Sequence, residues 1–164
     1  MTKFKGRSSF KQYMPAKLAK RGTKVWMRCD LLTGYTYDMN IYMGKKVVSQ
    51  EGTLGERVVK LLVSSIQDRD VTLAFDSFFT SVNLMIDVNF AAVGTCMKNR
   101  KNMPKDAVAI KKGETKFLGN DKGVLCVQWM DSKEVVLLSN CHGGEMNSVQ
   151  KKKKRWLTRN HCLS

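Results

Sequence analysis

The sequence lacks long hydrophobic runs: none of its apolar stretches approaches the roughly 18 residues that a membrane-spanning helix requires. No apolar segment follows the basic N-terminus, so a secretory signal is not expected. The five cysteines are an odd number and include no CxxC pair, which disfavours a disulfide framework. These absences predict a soluble intracellular protein with free thiols and no membrane-spanning segment.

Acidic residues are also scarce, since 14 Asp and Glu stand against 29 Lys and Arg and the formal net charge is +15. This balance excludes an acidic solvating protein and makes a polyanion the expected partner, either nucleic acid or an anionic membrane surface. The 164 residues, 43% of them hydrophobic, fit one domain and exclude disorder throughout.

Most of the positive charge lies in three stretches, 1–29, 98–112 and 151–159, and the remainder of the chain is net acidic. The first stretch has no acidic residue and contains four aromatic residues, Phe4, Phe10, Tyr13 and Trp26. Cations among aromatic rings can bind phosphates and stack on bases. The alternative is that the rings point inward as strand core. The third stretch is equally typical of a nuclear-import signal or a disordered tail.

Hydrophobic periodicity predicts an alternation of strands and helices. Residues 24–30 and 35–43 form a hairpin around Thr33-Gly34, and a capping box at Thr53 and Glu56 begins a helix over 54–67. A strand over 71–75, of the type buried on both faces, precedes a second helix after Ser81. Further strands are predicted at 91–97, 115–118, 124–130 and 134–138. The order predicts an α/β fold with a mixed sheet.

Asp76 directly follows the predicted strand 71–75, where functional side chains of such sheets tend to lie. Its carboxylate suits a hard cation such as Mg²⁺. The structural alternative is that Asp76 caps the turn that opens the next helix.

Two Cys-His neighbours, Cys141-His142 and Cys162 after His161, do not have the spacing of a zinc finger. A Cys/His nucleophile pair is also disfavoured, because nothing in the sequence orients either histidine.

A series of short motifs follows in the order and spacing seen in piggyBac-type transposases and their domesticated relatives. The series runs from about residue 3 to residue 140, and its members are individually weak but collectively specific. They are Phe4-Lys5-Gly6-Arg7, Gln12-Tyr13-Met14-Pro15, Gly22-x-Lys24-Val25-Trp26, Thr33-Gly34-Tyr35, Tyr42-x-Gly44, Leu54 to Val59, Asp76-x-Phe78-Phe79-Thr80-Ser81, Val93-Gly94-Thr95, Lys98 to Lys101 with Pro104, and Leu137-Leu138-Ser139.

The resemblance implies a ribonuclease-H-like core with an inserted β segment, cutting and joining DNA through three aspartates that hold two divalent metal ions, Mg²⁺ by implication. Two metals stabilise the attacking and the leaving oxygen of a phosphoryl displacement. It also implies a homo-oligomer in the nucleus. Residues 1–105 correspond to a partial core with most of its first strand missing, 106–140 to part of the inserted β segment and the following strand, and 141–164 to a basic, disordered tail.

Of the three family aspartates, only the second is matched, by Asp76. Gly143-Gly144-Glu145 lacks the Val-Asp continuation of the third motif, and Ser77 replaces the usual Asn. One carboxylate cannot assemble a two-metal site, so this chain is expected to bind no Mg²⁺ and not to cut DNA. Without its first strand, a truncated sheet is also expected to leave unpaired edges that promote aggregation.

The leading hypothesis is an inactive transposase-derived fragment that keeps weak, non-specific DNA binding and has no membrane partner and no small-molecule substrate. The expected DNA-binding residues are Lys3, Lys5, Arg7, Lys11, Lys17, Lys98, Arg100 and Lys101. One alternative is an active transposase, if a longer gene product supplies the missing aspartates. A second is a non-catalytic adaptor that binds protein through its β segment.

Overall fold

The computed structural model describes residues 2–44, 51–68, 70–104 and 110–144. Most of the tail predicted over 141–164 lies outside these residues, as do Lys105 and residues 106–109 of the predicted β segment. The elements are β1 (Thr2–Lys3), β2 (Gln12–Tyr13), β3 (Arg21–Thr23), β4 (Val25–Cys29), β5 (Thr36–Ile41), α1 (Leu54–Val63), β6 (Thr72–Phe75), α2 (Val82–Asp87), β7 (Ala91–Thr95), β8 (Thr115–Gly119), β9 (Leu125–Met130) and β10 (Glu134–Ser139).

A small antiparallel sheet of order β1-β3-β2 forms from the basic N-terminal stretch. Its central strand contains Gly22, which pairs with Lys3 and with Gln12. A Cβ at Gly22 would lie 2.1 Å from the carbonyl oxygen of Thr2. The strands therefore approach so closely that a side chain is excluded at the centre of this sheet.

Strands β4 and β5 form the predicted antiparallel hairpin. Its turn is closed by Asp30, whose carboxylate accepts hydrogen bonds from the backbone N–H of Thr33 at 2.8 Å and from its hydroxyl at 2.5 Å. Gly34 has φ of +73°, a conformation that glycine adopts without strain. On the inner face, Trp26 packs against Val58 and Leu62 of α1.

Helix α1 begins with the predicted capping box. The Thr53 side chain accepts a hydrogen bond from the backbone N–H of Glu56, and the Glu56 carboxylate accepts one from the backbone N–H of Thr53. The helix ends at Val63 rather than at the predicted residue 67. Ser64 ends it locally, because both its backbone N–H and its hydroxyl bond to the carbonyl of Leu61.

The main sheet has five strands in the order β6-β7-β10-β9-β8, with β6 parallel to β7 and the other neighbours antiparallel. The fold is thus the mixed α/β arrangement that the sequence predicts. Strands β8, β9 and β10, assigned above to an inserted segment and its following strand, continue this same sheet. No helix in the described part of the chain is long and apolar enough to cross a membrane.

The prediction that strand 71–75 is buried on both faces is wrong. Leu73 is buried against the core and Phe75 packs beside it, whereas Thr72 and Ala74 on the opposite face are exposed. The physical reason is that β6 is an edge strand whose second face is covered by no element of the described residues. An apolar run of this kind indicates a strand but does not identify how many of its faces are covered.

Candidate functional site

Asp76 begins the turn that connects β6 to α2. One of its carboxylate oxygens, Oδ1, accepts hydrogen bonds from the backbone N–H of Ser77 at 2.5 Å and from its hydroxyl at 3.1 Å. The backbone carbonyl of Asp76 accepts from the N–H groups of Phe79 and Thr80 and from the Thr80 hydroxyl. The carboxylate is exposed, and the turn beneath it is closed by its own main chain.

The cap of the following helix is Ser81, not Asp76. The Ser81 Oγ accepts a hydrogen bond from the backbone N–H of Leu84 at 3.1 Å, which satisfies one of the free donors at the start of α2. Asp76 lies five residues earlier and its carboxylate bonds only to Ser77 among the described residues. Asp76 is therefore not the N-cap of α2, although its carboxylate does bond within the turn that precedes the helix, as the structural alternative expects of a turn-capping residue.

Arg100 forms hydrogen bonds to the backbone of the segment that follows Asp76. Its Nη2 donates hydrogen bonds of 2.8 Å to the backbone carbonyls of Ser77 and Phe78. The guanidinium thus provides a donor to two consecutive carbonyls of the turn. Arg100, predicted as a phosphate ligand, thus also braces the backbone of the candidate site.

Glu56 connects the beginnings of the two helices. Its side chain is 6% exposed, with Oε2 accepting from the backbone N–H of Thr53 at 2.6 Å and Oε1 accepting from the Ser81 hydroxyl at 2.5 Å. Desolvation by burial is the largest single influence and raises the pKa of Glu56. The hydrogen bonds from Ser81 and Thr53 outweigh it together, so the pKa lies below its ordinary value of 4.5.

Lys24 lies among three aromatic rings. Its Nζ is 4.4 Å from the centroid of Phe78, 5.0 Å from that of Trp26 and 5.7 Å from that of Tyr42. Desolvation by burial lowers the pKa of Lys24. Because Phe78 belongs to the turn after Asp76 while the other two rings belong to the hairpin region, the ammonium group connects these two parts of the molecule.

The described residues do not form a metal site around Asp76. No group of three or more His, Cys, Asp or Glu side chains with the arrangement of a metal site occurs in the described ranges. Two-metal catalysis needs several carboxylates held close together. The donor set described here therefore does not fit a divalent metal pair.

The predicted DNA-binding residues separate into two groups. Lys3, Lys5, Arg7 and Lys17 are exposed and Lys11 is half-buried, with its Nζ donating to the carbonyl of Gly6 at 3.3 Å. In the second group, Lys98 forms an ion pair with Glu134, Arg100 braces the turn after Asp76, and Lys101 is exposed. The structure thus leaves the N-terminal cations more available to an external anion than those of the 98–101 loop.

The interpretation of the N-terminal aromatic residues as inward-facing core is wrong for three of the four. Phe4 is 43% exposed, Phe10 38% and Tyr13 62%, and only Trp26 is buried. Phe4 and Phe10 lie outside the strands, and β2, which contains Tyr13, is only two residues long. The guanidinium of Arg21 lies 5.5 Å from the ring centroid of Tyr13, so cation and ring share one surface.

The expectation that nothing orients the histidines is wrong for His142. Its Nδ1 lies 2.8 Å from the Ser139 Oγ and 3.3 Å from the Cys141 Sγ. Strand β10 ends at Ser139, and the turn that follows brings the three side chains together. His161 and Cys162 lie outside the described residues.

Two comparisons show which known proteins this chain is similar to. A transposase family described as Transposase IS4 matches residues 1–162. A piggyBac transposase, solved by cryo-electron microscopy as a synaptic complex with hairpin DNA, superposes with a TM-score of 0.77 at 29% identity over 90% of this chain. The chain belongs to the piggyBac-type transposase family. It spans 32% of the length of that solved transposase.

Membership of this piggyBac-type, DDE transposase family implies the use of divalent metal ions, although the described residues do not provide the donor set. Sequence reasoning located Asp76 and the N-terminal cations but missed the roles of Lys24, Glu56 and Arg100. All three roles depend on contacts between residues that are 22 to 54 positions apart. Lys24 and Arg100 contact Phe78, and Glu56 accepts a hydrogen bond from Ser81. The only local signal was the capping box, which fixes Glu56 but not its bond to Ser81.

Proposed function

We propose that this piggyBac-type chain is a transposase-derived DNA-binding protein that holds DNA weakly and without sequence specificity and does not cut it. One observation carries the proposal: Phe4, Phe10 and Tyr13 are exposed in a stretch that contains nine cations and no acidic residue. Exposed rings among cations are suited to base stacking and phosphate contact, whereas a purely structural surface would bury the rings.

The charge around these rings supports the same proposal. Lys3, Lys5 and Arg7 are exposed and form no ion pair with the described residues. The relative of known structure was solved with hairpin DNA, which makes a DNA ligand the natural one for the matching part of this chain. The contacts would be made mainly to phosphates, which carry no sequence information.

Salt-dependent binding tests this proposal. A fluorescent 25-base-pair duplex is titrated with the 164-residue protein at several salt concentrations, and log K is plotted against log salt. Each phosphate contact contributes a slope of about −0.9. The triple variant Lys3→Gln, Lys5→Gln, Arg7→Gln should lower the magnitude of the slope by about 2 to 3.

The matched control removes three exposed charges elsewhere, with Lys112→Gln, Lys122→Gln and Lys133→Gln. Both variants have the same net charge, so a general electrostatic effect would change both slopes equally. Equal slopes in the two variants, or no binding by the unaltered protein at low salt, would overturn the proposal for the N-terminal surface.

Catalytic inactivity of the chain is proposed because Asp76 is the one family aspartate matched by the sequence and no metal-binding cluster surrounds it in the described ranges. In a Mg²⁺-dependent nicking assay on supercoiled plasmid, the protein and its Asp76→Ala variant should both leave the plasmid intact. Nicking by the unaltered protein that disappears in Asp76→Ala would contradict inactivity.

The finer fold assignment is also a proposal: β4, β5, β6 and β7 belong to a ribonuclease-H-like core over residues 1–105, and part of an inserted β segment lies within 106–140. The parallel pairing of β6 with β7 and the position of Asp76 after β6 support it.

The basic run Lys151 to Arg155 supports nuclear localisation, which a fluorescent fusion with and without these residues would test. Sedimentation velocity with DNA would test for a homo-oligomer.

A second candidate function is that the chain is active when other polypeptides or a longer gene product supply the remaining carboxylates. The observation that favours it is the braced turn, since Arg100 and Thr80 keep Asp76 exposed at a fixed position. Cleavage that appears only when a longer product of the same gene is added, and that depends on Asp76, would support it.

A further inference from the structure

We infer that Cys141 is a reactive thiol, activated by His142, that forms mixed disulfides with small disulfides such as oxidised glutathione. The inference is independent of the proposed DNA binding and concerns the turn after β10. Thiol reactivity depends on access to the sulfur and on a nearby base that can take its proton. Both conditions are met at this turn.

The turn is held in place by Asn140. Its Oδ1 accepts a hydrogen bond from the backbone N–H of Ala92 at 2.7 Å, and its Nδ2 donates to the carbonyls of Met85 and Phe90. Ala92 and Met85 belong to the buried core. The residues on either side of Asn140 are therefore positioned by the sheet and by α2 rather than by the turn alone.

Ser139 fixes which atom of His142 accepts a proton. The Ser139 Oγ accepts hydrogen bonds from the backbone N–H groups of Cys141 and His142, both at 3.2 Å. Since both lone pairs of the oxygen are occupied, its own hydrogen is donated, and His142 Nδ1 lies 2.8 Å away. The neutral imidazole thus carries its proton on Nε2 and presents Nδ1 as the acceptor.

The Cys141 sulfur lies beside this acceptor. Its Sγ is 3.3 Å from His142 Nδ1, 3.6 Å from the Ser139 Oγ and 3.8 Å from the carbonyl oxygen of Ala92. Nδ1 becomes free to take the thiol proton when the Ser139 hydroxyl rotates from Nδ1 toward the sulfur, 3.6 Å away. The hydroxyl and the new Nδ1–H can then both donate to the thiolate.

The reaction balances without a further oxidant. The Cys141 thiolate attacks one sulfur of the small disulfide, and a new S–S bond forms as the original S–S bond breaks. The leaving thiolate takes the proton from His142 Nδ1 and departs as a thiol. The protein thiol is oxidised to a mixed disulfide and one half of the small disulfide is reduced.

The other described cysteines lack one or both conditions. Cys96 and Cys126 are buried, and burial raises the pKa of both thiols, that of Cys126 to about 11. Cys29 is exposed, but its sulfur lies 3.5 Å from the Thr36 hydroxyl, which is not a base. Cys29 is therefore a matched internal control for exposure without a histidine.

The test measures the rate at which oxidised glutathione modifies each thiol of the full chain at pH 7, with every peptide identified by mass spectrometry. Cys141 should react about tenfold faster than Cys29, and His142→Gln should bring the two rates within about threefold of each other. The buried thiols Cys96 and Cys126 react only if the protein opens, so their rates in the same sample report whether the variant is folded. Ser139→Ala, which frees the imidazole tautomer, should give an intermediate rate.

Equal rates for Cys141 and Cys29 in the unaltered protein would overturn the inference. So would a Cys141 rate that is unchanged in His142→Gln while Cys96 and Cys126 remain unreactive. If His142→Gln makes Cys96 and Cys126 reactive, the fold is altered, and His142→Asn is substituted and judged by the same criteria. The modification of Cys162 is mapped separately and does not enter the comparison.

Discussion

Glu56 uses both carboxylate oxygens to bond to other parts of the chain, one to the start of its own helix and one to the hydroxyl that caps α2. A neutral amide at this position can accept at one oxygen only and presents hydrogens where Thr53 or Ser81 also donates. Replacement therefore leaves a buried donor without a partner, which costs more than the hydrogen bond itself contributes.

We predict that Glu56→Gln lowers the free energy of unfolding at pH 7 by about 1 to 3 kcal/mol. The folded pKa of Glu56 is depressed, so its stabilising contribution is complete above the ordinary value of 4.5 and is lost as the pH falls through the folded pKa. The difference between the two proteins should therefore shrink below pH 4. Urea denaturation at pH 7 and pH 3.5 measures it, with the exposed Glu51→Gln as the control.

Lys24 and Phe78 give a second prediction for single residues. In a double-mutant cycle with Lys24→Met and Phe78→Leu, the coupling energy should be about 0.5 to 2 kcal/mol, because the ammonium group lies 4.4 Å from the ring centroid. The cycle isolates this pair from the cost of burying the lysine. A coupling no larger than that between Lys24→Met and Phe10→Leu, an exposed ring outside the three around Lys24, would contradict the cation–π contact.

The packing of elements around Asp76 depends on the absence of a side chain at Gly55. A Cβ there would lie 2.7 Å from the carbonyl oxygen of Phe78 and 3.0 Å from the Cα of Phe79. Both obstacles are backbone atoms, so they cannot move aside as a flexible side chain would. The first turn of α1 therefore lies directly against the turn that follows Asp76.

We predict that Gly55→Ala destabilises the protein, although Ala in a helix is normally favoured over Gly by about 0.5 to 1 kcal/mol. A fall in stability, where Gly→Ala in a helix normally raises it, is the expected result, and the melting temperature in thermal unfolding measures it. Gly119→Ala is the control, because Gly119 has open space around it and an ordinary φ. If Gly55→Ala raises the melting temperature, the close packing described above is wrong.

The sequence predicted those elements whose causes are local. The capping box of Thr53 and Glu56 and the Thr33-Gly34 hairpin each depend on residues within a few positions of one another. The bonds from Arg100 to the carbonyls of Ser77 and Phe78 depend instead on how α2 and β7 return the chain. Hydrophobic periodicity carries no information on which distant segments come together. For the same reason the sequence did not predict that one face of β6 is exposed.

At the scale of the whole molecule, the two edges of the main sheet differ. Edge strand β8 contains Lys116, whereas edge strand β6 reads Thr-Leu-Ala-Phe and has no charge. A charged side chain on an edge strand opposes pairing with another molecule, and an uncharged, apolar edge permits it. The free edge of β6 is therefore where this sheet is expected to pair with another molecule.

We predict that Ala74→Lys reduces the concentration-dependent aggregation of the protein, measured by light scattering at 37 °C. Ala74 is exposed on β6, so the lysine reaches solvent without entering the core. Gln67→Lys adds the same charge at an exposed position outside any strand and serves as the control. If both variants aggregate equally slowly, net charge rather than the edge determines self-association.

The separate supports of the Asp76 turn have a consequence for how such sequences change over generations. The Asp76 carboxylate bonds only to its neighbour Ser77 among the described residues, while Glu56, Ser81 and Arg100 hold the surrounding backbone. Selection for folding alone therefore retains Glu56, Ser81 and Arg100 but not Asp76. In sequences of this family under that selection only, substitutions at position 76 should accumulate earlier than those at 56, 81 and 100.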